Sequence, residues 1–404
     1  METLQKMKKP KSIIPLFKVF VDDKVSNEVT KVLYSGFIGQ GAKVEEFEGL
    51  LKNYFRNYLV ATTNAATSAE HLALHLLKNP ASNNMFMDGV ASYKSHWPGI
   101  NPGDEVLTTP LTCTATNWPI LANGMKIKWV DVDPNTCNMD LDDLARKITP
   151  KTKAIMAVHW GGYPIDLNKL ADIQNQASRI IGFKPAVIED CAHAFGSTYK
   201  GKKIGNHGNI CTFSFQAIKH LTTGDGGALV LPHKELYDRA KLLRWYGIDR
   251  ETNSKDFRCE DDIKEWGYKF HMNDINATIG INNFDTVTEK LLQRNIDNAN
   301  FYNNELSGVK GIQLMECKSD RQSTYWIYTI KVENRDAFMD YMRDCNIMVS
   351  RVHERNDKHT CVKDYKAILP NLEKLVDEMI CIPCGWWVTD EDREYIVNCI
   401  KKGW

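Results

Sequence analysis

Apolar positions along this chain repeat with two alternating periods. Val25, Val29, Val32 and Leu33 fall at helical spacing, which predicts a helix over Ser26 to Ser35 that stops at Gly36. After it come short runs rich in β-branched and aromatic residues: Tyr58 to Thr63, Glu105 to Thr109, Ile127 to Val132, Ala154 to Trp160, Ala186 to Asp190, Ile210 to Phe215 and Ala228 to Leu231. Each reads as a strand. Helical or turn-rich connections separate them, among them a helix from Asn64 to Leu77. The alternation predicts an α/β fold, a doubly wound and mainly parallel sheet. From about Asn283 a long helix through Leu291, Ile296 and Phe301 leads into a smaller C-terminal α+β region. That region carries apolar runs at Tyr325 to Val332 and Ile347 to Arg351, and a last helix from about Asp390.

The 404 residues suffice for one large domain and a smaller one. Charge is balanced, 51 basic residues against 51 acidic, which leaves no electrostatic footprint for nucleic acid or an anionic membrane. No apolar core of a signal peptide and no run of transmembrane length occurs, so a soluble, cytoplasmic protein is expected. Eleven scattered cysteines point to reduced thiols. Cys381 and Cys384 have the spacing of a metal or redox pair, but no second pair accompanies them, and they read as structural. The acidic run Glu260 to Asp262 reads as a solvated loop or helix end.

Candidate chemistry centres on Lys219. It follows the strand-like run Ile210 to Phe215 and precedes a Gly-Asp-Gly-Gly turn at 224 to 227. No acidic residue lies within five positions of it, so burial would lower the cost of losing its proton. A Schiff-base lysine needs that property; a surface lysine on a loop is the plain alternative. Asp190 closes the run Ala186 to Glu189, where a buried carboxylate requires a cation or a hydrogen-bond donor, and His193 follows three residues later. A cofactor partner, a metal site built from Asp190 and His193, and a capping Asp are all compatible with this spacing. Thr67 and Ser68 stand at the start of the second helix, where free N–H groups suit a phosphate and where hydroxyls also serve as ordinary caps. No Gly-x-Gly-x-x-Gly follows a strand, which removes the nicotinamide-binding signature.

Ser214-Phe-x-x-x-Lys219 followed by Thr222-Thr-Gly-Asp-Gly-Gly227 closely resembles the lysine motif of the DegT/DnrJ/EryC1/StrS family of sugar aminotransferases. These are pyridoxal-phosphate enzymes of the aspartate-aminotransferase fold (fold type I), and the resemblance runs from about Ile14 to the C-terminus. Three further segments match it. Ser35-Gly-Phe-Ile-Gly-Gln-Gly-Ala-Lys-Val-Glu-Glu-Phe-Glu48 resembles the family's substrate-side signature, with Phe37 and Ala42 where Trp and Pro are common. Glu189-Asp-Cys-Ala-His-Ala194 and Gly267-Tyr-Lys-Phe-His-Met-Asn-Asp-Ile-Asn-Ala-Thr-Ile-Gly280 resemble two more.

The resemblance implies roles. Lys219 would hold pyridoxal phosphate as a Schiff base, Asp190 would pair with the protonated pyridine nitrogen, and His193 would contact the ring near its hydroxyl. Thr67, Ser68 and Ser214 would lie at the phosphate end. Cys113, in Pro110-Leu-Thr-Cys-Thr-Ala-Thr116, occupies the place of an aromatic that usually covers the ring. Lys269 stands where the family has an Asn that crosses to the partner's cofactor phosphate, which implies a homodimer with shared active sites. The implied reaction moves an amino group from L-glutamate, through the pyridoxamine phosphate form, to a keto sugar. The acceptor would be a nucleotide-linked 4-keto-6-deoxyhexose, giving an amino sugar for glycan biosynthesis. A pyridoxamine-dependent sugar dehydratase is an alternative, although those enzymes replace the lysine with His; a non-catalytic regulatory member is another.

Expected boundaries are 1–45 for a tail, helix and substrate-side loop, 46–285 for the large cofactor domain, and 286–404 for the small α+β domain. The segment 79–103, carrying Met85, Phe86, Met87, Tyr93 and Trp97, is longer than the family's usual link. Its apolar residues should dock, either on the dimer seam or on the rim of the sugar pocket.

Overall fold

The computed structural model describes residues 9–78, 97–250 and 262–404. The chain opens with α1 (Val25–Tyr34) and α2 (Ala42–Phe55), then alternates strand and helix: β1 (Val60–Thr63), α3 (Ala66–Leu76), β2 (Glu105–Thr108), α4 (Thr114–Ala122), β3 (Lys126–Trp129), α5 (Leu141–Lys147), β4 (Thr152–Val158), α6 (Leu167–Ile181) and β5 (Ala186–Asp190). Two short strands, β6 (Thr198–Tyr199) and β7 (Lys202–Lys203), precede β8 (Ile210–Ser214), β9 (Gly227–Val230) and α7 (Lys234–Leu243).

Seven of these strands form one sheet in the order β1-β9-β8-β5-β4-β2-β3. From β8 to β3 all neighbours are parallel, and β9 runs antiparallel to both of its own. The registers Val158↔Asp190 and Asp190↔Thr212 bring the carboxyl ends of β4 and β5 level beside β8. Strands buried on both faces read as near-continuous apolar runs. Thus Val106, Ala154 and Met156 join one core with α3, α7 and α11, while Leu107, Ile155 and Ala157 join the other with α2, α6 and α8. Each of the larger side chains among these contributes roughly 1.5–3 kcal/mol of burial.

Helix α8 (Asp274–Thr286) continues through one turn of wider helix, Val287–Leu291, into α9 (Leu292–Glu305). The long helix therefore begins at Asp274, earlier than the expected Asn283, because Asn273 caps it by accepting from the Asn276 N–H at 2.9 Å. Asp274 also accepts from the N–H groups of Gly41 (2.7 Å) and Val44 (3.2 Å) at the start of α2. Two of the sequence segments singled out above are joined by that carboxylate.

The C-terminal part holds β10 (Ile312–Leu314), β11 (Arg321–Gln322), β12 (Tyr328–Val332), α10 (Arg335–Asp344), α11 (Pro370–Glu378), β13 (Met379–Ile382) and α12 (Asp390–Lys402). An antiparallel sheet β10-β12-β13 packs with α9, α10 and α12 around its own core. The apolar run Ile347 to Arg351 forms isolated bridges, Ile347 with Ile14 and Ser350 with Cys381. β11 pairs with β6, which draws the approach to β12 against the loop after β5.

The expected insertion lies mostly outside the described residues. Its end does not: Trp97 is buried among Leu77, Phe183 and the large-domain core, donating from its indole nitrogen to the Leu77 carbonyl at 3.2 Å. Trp97 thus serves its own chain's core rather than a seam or a pocket rim. Cys381 and Cys384 are both buried, and the ten cysteines among the described residues are free. Among those residues no helix is long and apolar enough to cross a membrane.

Candidate active site

Strand β8 ends at Ser214, and the chain turns back into β9 within thirteen residues. The turn is fixed by backbone bonds: Lys219 N–H to the Gln216 carbonyl at 2.9 Å, and Phe215 N–H to the Gly226 carbonyl at 2.8 Å. Gly224 takes a φ of +82°, which a side chain would strain. Gly227 has a different constraint, since a Cβ there would lie 2.6 Å from the Ala66 nitrogen. The start of α3 is thereby pressed against the end of the lysine turn.

Lys219 is half-buried as a residue, but its amine end is enclosed. Nζ lies 3.6 Å from the centre of the Trp326 ring. Desolvation lowers its pKa to about 8, against the opposing pull of Asp190, Cys113 and Glu70. The cation–π contact favours the ammonium by roughly 0.5–2 kcal/mol, less than the desolvation that lowers it, so the amine remains unusually easy to deprotonate.

Asp190 ends β5 and is 4% exposed. One carboxylate oxygen accepts from the Thr116 hydroxyl at 2.6 Å, the other from the Ala192 N–H at 3.0 Å. Thr116, in the first turn of α4, is itself bonded to the Thr112 hydroxyl at 2.8 Å. Glu70 of α3 also reaches Asp190, and burial together with that neighbour raises its pKa well above the usual carboxyl range.

His193 is buried three residues beyond Asp190 and stacks on Trp326, centroids 3.9 Å apart. The Gly161 N–H donates to its Nδ1 at 3.3 Å, which leaves the proton on Nε2 and makes that nitrogen a donor. Burial, first, and then Lys219 hold His193 neutral. His353 stacks parallel to His193 at 5.6 Å, its pKa lowered to about 4 by burial, and its buried Nε2 has no partner among the described residues.

At the other end, α3 begins behind Ala65, which provides no side-chain cap. Thr67 and Ser68 lie inside the first turn, Thr67 exposed and Ser68 half-buried, so ordinary capping is not their role. Ser214 is buried and its hydroxyl accepts from the Gln216 N–H at 3.4 Å. Cys113 is half-buried and precedes α4 in extended conformation. The Lys269 carbonyl accepts from the Asn64 side chain at 3.2 Å, just ahead of α3, while the Lys269 side chain is exposed.

Lys219, Asp190 and His193 therefore meet at one mouth, with α3 alongside. Trp326, Thr116 and Glu70 were not singled out from the sequence. Glu70 had a visible signal, a lone carboxyl in the apolar run around Leu72, whereas nothing in the sequence joins Trp326 to Lys219. A metal on Asp190 and His193 is not favoured, since the Asp190 oxygens and His193 Nδ1 already accept hydrogen bonds. Among the described residues, His159, Glu189 and Cys191 have ligand-like proximity. There Nε2 of His159 bonds Glu189 at 2.8 Å, its Nδ1 accepts from Ile165 N–H at 3.1 Å, and Asn209 donates to Glu189 at 2.7 Å. That network is closed.

The mouth suits a flat, anionic cofactor carrying a carbonyl and a basic ring nitrogen. It offers an amine of lowered pKa, a buried carboxylate held by two donors, an imidazole donor and an uncapped helix N-terminus. The unpartnered His353 Nε2 and Glu70 Oε2 are further polar atoms of the same neighbourhood.

Comparison with known proteins agrees. The sequence pattern of the DegT/DnrJ/EryC1/StrS aminotransferase family matches residues 20–88 and 90–401. The chain is similar to AtS13 from Actinomadura melliaura (48% identity, TM-score 0.90, covering 98% of this chain and 100% of that one). It is also similar to the sugar aminotransferase CalS13 from Micromonospora echinospora (45%, TM-score 0.89, 97% and 100%). A putative sugar aminotransferase from Streptococcus pneumoniae, solved in a PLP form, shares 26% identity at TM-score 0.83 over 96% of this chain and 98% of that one. A curated relative, UDP-4-amino-4-deoxy-L-arabinose–oxoglutarate aminotransferase of Shewanella sediminis, is 32% identical over 83% of this chain and 81% of its own. The resemblance carried by the lysine motif thus extends along the whole chain, which belongs to the DegT/DnrJ/EryC1/StrS aminotransferase family and is by class a pyridoxal-phosphate-dependent sugar aminotransferase.

Proposed function

We propose that the chain transfers an amino group from L-glutamate to a nucleotide-linked 4-keto-6-deoxyhexose. The observation that carries this reading is the enclosed Lys219 amine, with its pKa lowered to about 8, in one pocket with the Asp190 carboxylate. Bound pyridoxal phosphate would supply an electron sink for the pair left at the donor α-carbon. Lys219 Nζ would hold the cofactor and, as a free amine, would take up the donor's α-proton and give it back. Asp190, oriented by the two donors on its oxygens, would accept from the protonated ring nitrogen. His193 Nε2–H donates to the ring oxygen. Thr67, Ser68, Ser214 and the N–H groups that open α3 hold the phosphate. Cys113, next to α4, would be the residue offered to the ring face.

Lys269 supplies a point charge to the phosphate of a second copy, which makes the working unit a homodimer. Its exposure supports that, as does the exposed apolar group Leu33, Tyr34, Phe37 and Ile38, with Tyr34 88% and Phe37 82% exposed. Support for glutamate comes from the oxoglutarate in the curated relative's name, and for a nucleotide sugar from its UDP.

The test is the donor half-reaction. Cofactor-loaded protein mixed with L-glutamate alone should release about one 2-oxoglutarate per chain and then stop until a keto sugar is added. Continuous release without a sugar, or none, would contradict the reading.

A further inference from the structure

Amino transfer calls for one carboxylate at the ring nitrogen, yet two carboxyls are present. Glu70, the fifth residue of α3, is 1% exposed and lies against Asp190, 4% exposed. Its Oε2 finds no hydrogen-bond partner among the described residues. Two buried carboxyls in contact cannot both ionise without strong repulsion, so the pair holds one proton between them.

The donors decide where that proton sits. Asp190 accepts from the Thr116 hydroxyl and the Ala192 N–H, and both bonds favour a carboxylate. Oε2 of Glu70 receives none among the described residues, which costs a neutral acid less than a carboxylate. The charged or titratable groups facing Glu70 are Asp190 at the end of β5, Cys113 ahead of α4 and Lys219 beyond β8. Lys219 favours ionisation; burial and Asp190 oppose it, and they prevail.

We propose that Glu70 is a positioning residue, a neutral carboxylic acid that donates a third hydrogen bond to Asp190 and so keeps Asp190 ionised at the cofactor's ring nitrogen. A neutral donor adds no second negative charge, so the carboxyl pair matches a ring nitrogen carrying a single proton. The role of Asp190 at that nitrogen rests on the function proposed above; the shared proton does not.

Two variants of the full-length chain separate the outcomes. E70Q keeps a donor of the same length, and E70L keeps the bulk without one. In the cofactor-free chain, a Glu70 that stays protonated when folded has already released its proton in the unfolded chain above pH about 4.3. The native chain should therefore lose stability relative to E70Q as pH rises from 5 to 8, the gap in Tm widening by about 2–4 °C. A gap that stays constant means an ionised Glu70 and overturns the proposal.

For affinity, quenching of tryptophan fluorescence by pyridoxal phosphate gives Kd. E70Q should lie within about threefold of native and E70L about tenfold weaker, the worth of one hydrogen bond to a charged group. An E70L chain that binds as tightly as native overturns the donor role. If no variant, native included, binds the cofactor, the proposed function fails, and the pH comparison still decides Glu70.

Discussion

Lys219 Nζ sits 3.6 Å over the Trp326 ring, and that same side chain stacks on His193 at 3.9 Å. Trp326 also donates from its indole nitrogen to the Ile218 carbonyl at 2.8 Å, one residue before the lysine. A residue at the entrance to the second sheet therefore holds the lysine turn and the His193 ring together. Replacing Trp326 with Leu should lower kcat/KM by about tenfold or more, since a cation–π contact and an aromatic stack are each worth on the order of 1 kcal/mol. Phe, which keeps the ring and loses the bond to Ile218, should lose less. Steady-state rates of the two variants check the order.

Thr116 should matter through Asp190. Thr116→Val keeps the shape and removes the 2.6 Å hydroxyl donor, so Asp190 loses one of the two bonds that orient it. A hydrogen bond to a charged group is worth about 1.5–3 kcal/mol, which predicts a roughly tenfold or greater fall in kcat. Thr116→Ser, which keeps the hydroxyl, should restore most of the rate. A Thr116→Val chain as fast as native would remove Thr116 from this role.

Burial of Lys219 has a thermodynamic signature in the cofactor-free chain. Its folded pKa of about 8 lies below the ordinary lysine value. The unfolded chain then binds the proton more tightly, and folding is penalised in full below pH 8. The penalty fades as pH rises towards about 10.4. Lys219→Met should raise Tm at pH 7, and its advantage over native should shrink steadily from pH 8 upward.

Arg244 at the end of α7 bonds Glu48 of α2 at 2.5 Å and the Thr62 carbonyl of β1 at 2.8 Å, with both side chains almost fully enclosed. Arg244→Met would strand a buried carboxylate, at a cost of about 3–5 kcal/mol. Chemical denaturation should register that loss. Glu48→Gln should cost less, because the amide oxygen can still accept from Arg244, which also keeps its bond to the Thr62 carbonyl.

The sheet was legible because its strands are buried on both faces, so each shows as an apolar run, and β5 ends at Asp190 as its sequence suggested. Lys219, Asp190 and His193 were singled out by their resemblance to the family's motifs; the strand ends at Asp190 and before Lys219 are where the structure has them. The bulk of the helix that begins at Asp274 was seen, but its start was missed: Asn273 and Asp274 act as caps, one for its own helix and one for α2, and Asp274 carries no apolar signal. The run Ile347 to Arg351 is apolar at Ile347 and Val349, but the sequence does not show that single bridges to Ile14 and Cys381 are what pair it. Trp326 and Glu70 stayed hidden for a common reason. Their partners are 107 and 120 positions away in sequence, and apolar periodicity reports burial without reporting against what.

One measurement addresses the central role of Lys219 most directly. Protein loaded with pyridoxal phosphate is reduced with borohydride, digested, and mapped by mass spectrometry. The account predicts the cofactor's mass on the peptide containing Lys219 in the native chain, and no stable adduct in Lys219→Ala, which should also release no 2-oxoglutarate from glutamate. An adduct on another lysine, or undiminished release by the variant, would contradict it.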